Sequence, residues 1–130
     1  MKEVCDFLKK CDVFYLATVD GDKPRVRPFG AINVFEDKLY IQTGKVKNVS
    51  KQMQLNNNIE ICAFSDGEWV RIEGKAIRDD RREAKVSMLD ANPVLKNMYS
   101  ADDDNTEVLY LDGAIATFYS FTTEPKIIKL

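Results

Sequence analysis

Short β-type segments separated by turn signals are the feature that most constrains what this chain can fold into. The run Val13–Val19 is β-branched and aromatic, and it stops at Asp20-Gly21-Asp22, a sequence typical of a hairpin turn. A second strand is predicted over residues 24–35 and a third over Leu39–Thr43, with a turn at Glu36-Asp37 between them. The first third of the chain therefore predicts a series of strands joined by tight turns.

The second half of the chain continues this pattern. Turn signals at Ser65-Asp66-Gly67 and Asp112-Gly113 separate further β-type runs. The predicted strands are Ile59–Phe64, Glu68–Ile77, Val108–Leu111 and Ala114–Phe121, and the short run Lys126–Ile128 is an optional last strand that is not counted among them.

Three helices are predicted between the strands. Apolar residues at helical spacing mark the first two; they are Val4, Phe7, Leu8 and Cys11 in one, and Val46, Val49 and Met53 in the other. The third is predicted from a capping box formed by Asp80 and Glu83, and Asn92-Pro93 is predicted to restart it.

The order of these elements predicts a single domain, residues 1–130, of mainly β (α+β) class. Six to seven short strands that do not alternate with helices indicate an antiparallel barrel or sheet with helices packed outside it. Pro28 lies within the second predicted strand, and its missing N–H predicts an edge position or a bulge there. A length of 130 residues suits one domain and is too short for two.

Composition excludes several classes of function. The net charge of −2 gives no electrostatic basis for binding nucleic acid or an anionic membrane. The absence of histidine excludes Ser–His and Cys–His nucleophile pairs and histidine-ligated zinc or haem. Three cysteines at no metal-ligand spacing predict buried reduced thiols and a cytoplasmic location. The charged segment 1–14 predicts neither a signal peptide nor a membrane span.

Two basic stretches are candidate anion sites. Arg25 and Arg27 share a strand face, where like charges repel unless water or an anion lies between them. Thr43–Ser50 contains two lysines where a strand is predicted to become a helix, with Asn48 or Ser50 as its cap. The free N–H groups at a helix start bind phosphate readily. Neither stretch has the glycine spacing of a P-loop. On pattern alone, each stretch is as often an ordinary solvated surface as an anion site.

Trp69, the single tryptophan, is predicted on the polar face of its strand, together with Arg71 and Glu73. A subunit interface, a stacking platform for a planar ligand and a local packing contact all remain open for it.

Two acidic features carry weaker signals. Asp102-Asp103-Asp104 lacks the spaced ligands of a calcium loop and predicts a solvated loop. Glu60 and Glu73 could be paired carboxylates, but the sequence does not bring them together.

The order and spacing of several short motifs resemble the pyridoxamine-phosphate-oxidase-like family, the FMN-binding split barrels. The motifs are Leu16–Val19, Asp20-Gly21, Pro24–Gly30, Leu39–Thr43, Asn58–Cys62 and Trp69–Gly74. Within that family the chain most resembles the small branch that contains nitroimidazole-resistance-type proteins. The resemblance implies an antiparallel split β-barrel that binds FMN, as a homodimer with the cofactor at the subunit interface.

The resemblance also implies which residues contact the cofactor. A strand arginine and basic residues at the following helix start hold the phosphate in this family. Arg27 matches the strand arginine, with Arg25 as a neighbouring candidate; Lys47 and Asn48 match the helix-start positions, with Lys45 as a further candidate. The residues expected along the isoalloxazine ring or ribityl chain are Pro28, Phe29, Gly30, Gln42 and Thr43. Trp69 is expected to cover a flavin held partly by the other subunit.

Two departures from the family pattern bear on function. Asn48 stands where the family commonly has a cation, which removes one charge from the expected phosphate site. The chain has no histidine and ends soon after Phe121, which excludes pyridoxamine phosphate as the expected substrate.

The resemblance implies an FMN-dependent oxidoreductase. A nicotinamide donor, NADH or NADPH, would reduce the flavin, which would then reduce a small acceptor such as a nitroaromatic or a quinone. The chain has no Rossmann glycine motif, so the nicotinamide would stack transiently on the flavin. A flavin-binding or redox-responsive protein without turnover is the alternative, and deazaflavin or haem are the alternative cofactors.

Overall fold

A computed structural model describes all residues, 1–130, as eight strands and three α-helices. The strands are β1 (Phe14–Asp20), β2 (Lys23–Phe29), β3 (Ile32–Phe35), β4 (Lys38–Gly44), β5 (Asn58–Ser65), β6 (Glu68–Asp79), β7 (Thr106–Ser120) and β8 (Lys126–Lys129). The helices are α1 (Lys2–Cys11), α2 (Asn48–Leu55) and α3 (Arg82–Ala91), and a 3₁₀ turn covers Pro93–Asn97.

The strands form one antiparallel sheet in the order β2-β1-β5-β6-β7-β4-β3, and β8 adds to β7. The terminal strands β2 and β3 do not pair with each other, so the barrel is open along one side. Helix α2 packs against both β1 and β4, and helix α1 packs against both β3 and β5. Helix α2 bridges the gap between the β2–β1 end of the sheet and its β4–β3 end. We call this unpaired boundary the seam.

The hydrophobic core fills the interior of this open barrel. Period-two alternation places Phe14 and Leu16 inside, with no exposed surface, while Tyr15 between them is about half exposed. Val49 and Met53 of α2 join the same core, which anchors the helix over the seam. A smaller second core lies under α3.

The predicted fold class is confirmed, with two corrections to the strands. Residues 24–35 form two strands, β2 and β3, which are separated at Gly30 and Ala31. The predicted turn at Asp112-Gly113 is wrong, because β7 runs through it as one strand of 15 residues. The pairing with β6 shifts its register there, between Glu73 and Lys75, so the turn signal marks a bulge instead.

Gly74 explains why the bulge is tight. A Cβ atom at this position would lie 3.2 Å from the Cα of Ala114 on β7, so the two backbones approach more closely than a side chain permits. The predicted edge position of Pro28 is confirmed, since β2 pairs only with β1.

The predicted start of the second helix is wrong by two residues. Helix α2 begins at Asn48, and Val46 lies before it with three quarters of its surface exposed. Neither Asn48 nor Ser50 caps the helix, since no side chain accepts a capping hydrogen bond from its first backbone N–H groups. The helix start therefore keeps free backbone donors.

The predicted capping box of the third helix is also wrong. Helix α3 begins at Arg82, and neither Asp80 nor Glu83 caps it. Asp79 accepts the backbone N–H of Arg81 at 3.1 Å instead. The predicted restart at Asn92-Pro93 is confirmed as the start of the 3₁₀ turn.

The cysteines are free, but only one of them is buried. Cys5 lies in the core, Cys11 is half-buried and Cys62 is exposed on β5, so the prediction of buried thiols holds for Cys5 alone. No helix combines the length and apolarity that a membrane crossing requires.

Candidate functional site

Arg27 is the most unusual charged residue at the seam. Its side chain leaves β2 and crosses β1 towards α2. One terminal nitrogen, Nη1, donates to the carbonyl oxygen of Leu16 at 3.2 Å and to Oγ1 of Thr18 at 2.7 Å. The other, Nη2, donates to Oε1 of Gln52 at 2.6 Å. Arg27 thus joins the terminal strand of the sheet to the helix that bridges the seam.

All three of these partners are neutral, so the charge of Arg27 is not compensated. The side chain is half-buried and forms no ion pair with any carboxylate. Partial burial, followed by the nearby charge of Arg25, lowers the pKa of Arg27 below its ordinary value. Of the five guanidinium N–H donors, Nε–H and one on Nη2 have no partner in the protein. They are available to an anion.

Arg25 differs sharply from its neighbour. Its Nε lies 3.0 Å from Oδ2 of Asp20 in the same hairpin, and both side chains are largely exposed. The charge of Arg25 is therefore already partnered and screened by solvent. Of the two arginines predicted from sequence, Arg27 is the better anion ligand.

The start of α2 supplies further positive charge. Lys47 is the N-cap residue of the helix; its side chain is exposed and forms no ion pair. Lys45 is less free, because its Nζ lies 3.6 Å from Oδ1 of Asp104. No acidic residue occurs between Asp37 and Glu60. The helix start is therefore a local concentration of positive charge in a chain that is acidic overall.

The side chain of Arg27 bonds the same helix, α2, at whose start this positive charge lies. Gln52, the helical partner of Arg27, follows Asn48 by four residues, which is about 6 Å along a helix axis. Asn48 is exposed and supplies no charge. The uncapped N–H groups and dipole of α2 and the free donors of Arg27 are each suited to binding a phosphate dianion.

Gln42 and Thr43 lead from β4 into this region, and both are buried. As neighbours on a strand, they present side chains to opposite faces. The Nε2 of Gln42 donates to the carbonyl oxygen of Thr43 at 3.1 Å. Only one of these two side chains can therefore face a ligand at the seam.

The segment Pro28–Gly30 forms the end of β2 beside Arg27. Pro28 is exposed, while Phe29 is half-buried and packs on Phe14 with 6.0 Å between ring centroids. A Cβ on Gly30 would meet only the carbonyl oxygen of Asp12, at 3.8 Å. The backbone at Gly30 is therefore open to approach.

Trp69 does not lie at the seam. It is on β6, three strands from β2, and stacks on Tyr119 with 5.5 Å between centroids and 14° between planes. Phe121 packs on it at 5.1 Å. Within one chain, Trp69 belongs to an aromatic cluster on the outside of the barrel.

That cluster belongs to an exposed apolar surface, which we call the outer face: Tyr15, Val26, Phe64 and Trp69. The first three are 51%, 67% and 61% exposed. The strand registers place them on one side of the sheet, with Ala17 opposite Val26, Tyr15 opposite Cys62 and Phe64 opposite Trp69; Glu60 and Arg71 lie on the same side. An apolar surface of this kind is typical of an interaction site.

The structure also locates the acidic candidates. Glu60 and Glu73 lie directly opposite each other on β5 and β6, a proximity that the sequence did not reveal. Like charges in this register repel, and Nε of Arg71 offsets the repulsion at 2.9 Å from Oε2 of Glu60. These carboxylates belong to no cluster that could hold a metal ion.

The run Asp102–Asp104 is a surface loop, as predicted. Asp102 pairs with Arg82 at 2.9 Å, and Asp104 is fully exposed. Burial opposes ionisation of Asp103, but hydrogen bonds from the backbone of Thr106 and its neighbours hold the pKa of Asp103 well below its ordinary value. The run therefore shapes the loop that precedes β7.

Thr18 and Gln52, the two side chains that hold Arg27, were not predicted from the sequence. Thr18 had a detectable signal, since it continues the inward row of Phe14 and Leu16 and is only 3% exposed. A polar residue in an inward row needs a polar partner. Gln52 had no such signal, because its contact with Arg27 spans 25 residues of sequence.

Comparison with known proteins agrees with the fold. The family model described as pyridoxamine 5'-phosphate oxidase matches residues 1–114. A crystal structure of a NimC/NimA family protein from Clostridium acetobutylicum is 47% identical, with a TM-score of 0.97 over 100% of this chain and 92% of that one. No curated protein matched the sequence.

Two more distant structures share the fold. A pyridoxamine 5'-phosphate oxidase-related, FMN binding protein from Nostoc punctiforme is 18% identical, with a TM-score of 0.64 over 96% of this chain and 90% of that one. A heme binding protein from Mycobacterium smegmatis is 15% identical, with a TM-score of 0.69 over 94% of this chain and 57% of that one.

Proposed function

Because the chain belongs to the pyridoxamine 5'-phosphate oxidase family, we propose that it is an FMN-binding flavoprotein whose cofactor lies at the seam. The observation that carries this proposal is Arg27, a half-buried cation with neutral partners only and with two N–H donors to spare. A protein gains little from a desolvated, unpaired charge unless an anion completes it. The FMN phosphate is the anion proposed here.

The start of α2 would complete the phosphate site. Lys47 and the free N–H groups of the helix would share the phosphate with Arg27, while Lys45 and Arg25 would contribute longer-range attraction because both already have carboxylate partners. Asn48 adds a neutral side chain at the position where a cation was expected. Asp20 and Asp104 pair with Arg25 and Lys45, whereas Arg27 and Lys47 keep their charge without a carboxylate partner.

The flavin ring would extend from the phosphate along the seam. The backbone of Pro28, Phe29 and Gly30 would lie beside it, with the open approach at Gly30 permitting close contact. Gln42 or Thr43 would contact the ring or ribityl chain from β4, one through its side chain and the other through its backbone.

We further propose that the protein is a homodimer joined through the outer face, with FMN at the subunit interface. The exposed aromatic and aliphatic side chains on this face support that interface. Trp69 lies away from the seam of its own chain, so the flavin it would cover is one held by the partner subunit.

The proposed activity is oxidoreduction with NADH or NADPH as donor and a small nitroaromatic or quinone as acceptor. FMN, when bound, supplies hydride acceptance and onward electron transfer. This chain would bind and orient the cofactor, and its backbone N–H groups and cations would stabilise negative charge. The free thiols and the proposed cofactor suit a cytoplasmic protein, with no nucleic-acid or membrane partner.

Haem is a less suitable cofactor for this chain. A heme binding protein shares the fold at 15% identity, but no histidine is present here to ligate the iron. The seam offers cationic donors for a phosphate, which favours FMN.

Anaerobic stopped-flow spectroscopy tests the activity. The FMN-loaded protein is mixed with NADH or NADPH, and the flavin absorbance near 450 nm is followed beside free FMN of equal concentration. Reduction much faster than that of free FMN is expected with at least one donor. Reduction no faster than free FMN would leave a flavin-binding or redox-responsive protein as the function.

A further inference from the structure

Hydrogen bonds join the side chains of Arg27, Thr18 and Gln52 to one another in pairs. Oε1 of Gln52 accepts from Nη2 of Arg27 at 2.6 Å and from Oγ1 of Thr18 at 2.6 Å, and Thr18 also accepts from Arg27. Because a guanidinium only donates, the atom of Gln52 that faces it must be the amide oxygen. The orientation of Gln52 is therefore fixed chemically.

This arrangement holds the guanidinium without neutralising it. Glutamate has the same length and shape as glutamine and would accept the same two hydrogen bonds, but it would add a full negative charge within ion-pair distance. The amide gives the orientation and omits the charge.

We propose that Gln52 is a positioning residue of the phosphate site: its neutral oxygen fixes the Arg27 guanidinium beside α2, leaves its charge available, and so sets a preference for FMN over riboflavin. This inference rests on the proposed function. Gln52 would not contact the cofactor itself and would act only by orienting Arg27.

A purely structural role predicts a different result. Gln52 also ties α2 to β1 through Thr18, so its loss would loosen the barrel. If that were its only role, Gln52→Met, which removes the acceptor without adding a charge, would lower the stability and leave the flavin preference unchanged. The two roles therefore separate in the ratio of FMN affinity to riboflavin affinity.

The test titrates full-length wild-type and Gln52→Glu protein with FMN and with riboflavin, following flavin fluorescence at one ionic strength. Loss of a charge-assisted phosphate contact corresponds to about tenfold or more in affinity. FMN affinity is expected to fall by about that factor in the variant, with riboflavin affinity within about twofold of wild type. The melting temperature should stay equal or rise, because Arg27 gains a charged partner.

Gln54→Glu is the matched control. Gln54 lies on the same helix and is exposed, and its side chain bonds only Ser50, at 3.5 Å. The control places the same charge on the same helix without a contact to Arg27. An equal loss of FMN preference in both variants would mean that general electrostatics, and not positioning of Arg27, causes the effect, and would overturn the proposal.

A second variant covers the case in which Gln52→Glu fails to fold. Gln52→Met keeps the side-chain length but removes the acceptor, so the preference for FMN over riboflavin should fall below that of the wild type. Wild-type preference in the folded Gln52 variants would overturn the role of Gln52 alone. Wild-type protein that binds riboflavin as tightly as FMN would overturn the phosphate site and this role together.

Discussion

Arg27 and Arg25 provide an internal comparison for the phosphate site. They share a strand and a face, but Arg27 is half-buried without a carboxylate, whereas Arg25 is exposed and lies 3.0 Å from Asp20. Replacing each with glutamine removes the same charge from two different environments. We expect Arg27→Gln to weaken FMN binding strongly and Arg25→Gln to weaken it little.

The magnitudes follow from these environments. A charge-assisted hydrogen bond to phosphate contributes about 1.5–3 kcal/mol, which corresponds to about 10- to 150-fold in the dissociation constant. A solvent-screened charge that already has a partner contributes about 0–1 kcal/mol, or at most about fivefold. Arg27→Gln should therefore exceed Arg25→Gln by about an order of magnitude in its effect on FMN affinity.

The assay is an equilibrium titration of each apoprotein against FMN and against riboflavin. Riboflavin lacks the phosphate, so its affinity should change little in either variant. Arg27→Gln also removes three hydrogen bonds within the protein, so its thermal unfolding must be measured and binding compared well below the melting temperature. Equal effects of the two substitutions on FMN binding, or equal losses for FMN and riboflavin, would refute the assignment of Arg27.

Two further predictions concern stability and assembly. The side chain of Asp79 is 8% exposed; hydrogen bonds from Arg81 lower its pKa to about 2 against the opposing effect of burial, and Tyr40 donates a further bond at 2.8 Å. Because this pKa is depressed in the folded state, ionised Asp79 stabilises the fold fully above the unfolded pKa of 3.8, and this stabilisation is lost as the pH falls towards 2. The pKa shift corresponds to about 2 kcal/mol in the free energy of unfolding. Urea unfolding of Asp79→Asn should show about this loss at pH 7 and a weaker pH dependence below pH 4 than wild type, and an unchanged pH dependence would contradict it. For assembly, Tyr15→Arg on the outer face should convert the proposed dimer to a monomer, as measured by light scattering after gel filtration. Leu55→Arg is the control, at a residue of α2 that is 92% exposed, and it should leave the dimer intact. A dimer that survives Tyr15→Arg would exclude the outer face as the interface.

Local patterns were sufficient to predict most of the fold. The β-branched and aromatic run of β1 and the helical spacing in α1 depend on neighbouring residues only, and the strand and the helix that they predict were both confirmed. The Asp112-Gly113 signal failed because turn-forming residues also occur at a bulge, and only the pairing of β7 with β6 distinguishes the two.

The site was predictable as a set of basic residues, but not as a geometry. Strand periodicity placed Arg25 and Arg27 on one face, and the resemblance ranked Arg27 first, but their different burial and partners arise from contacts with β1 and α2. The proximity of Glu60 and Glu73 likewise depends on the register of β5 against β6. Such contacts join residues distant in sequence, and no local pattern encodes them.

FMN binding by the purified protein tests the central claim most directly. The protein is incubated with excess FMN and passed through a gel-filtration column, and the visible spectrum of the protein peak is recorded. We expect a yellow protein peak that retains FMN but not riboflavin under the same conditions, because only FMN carries the phosphate. A colourless protein peak would refute FMN binding.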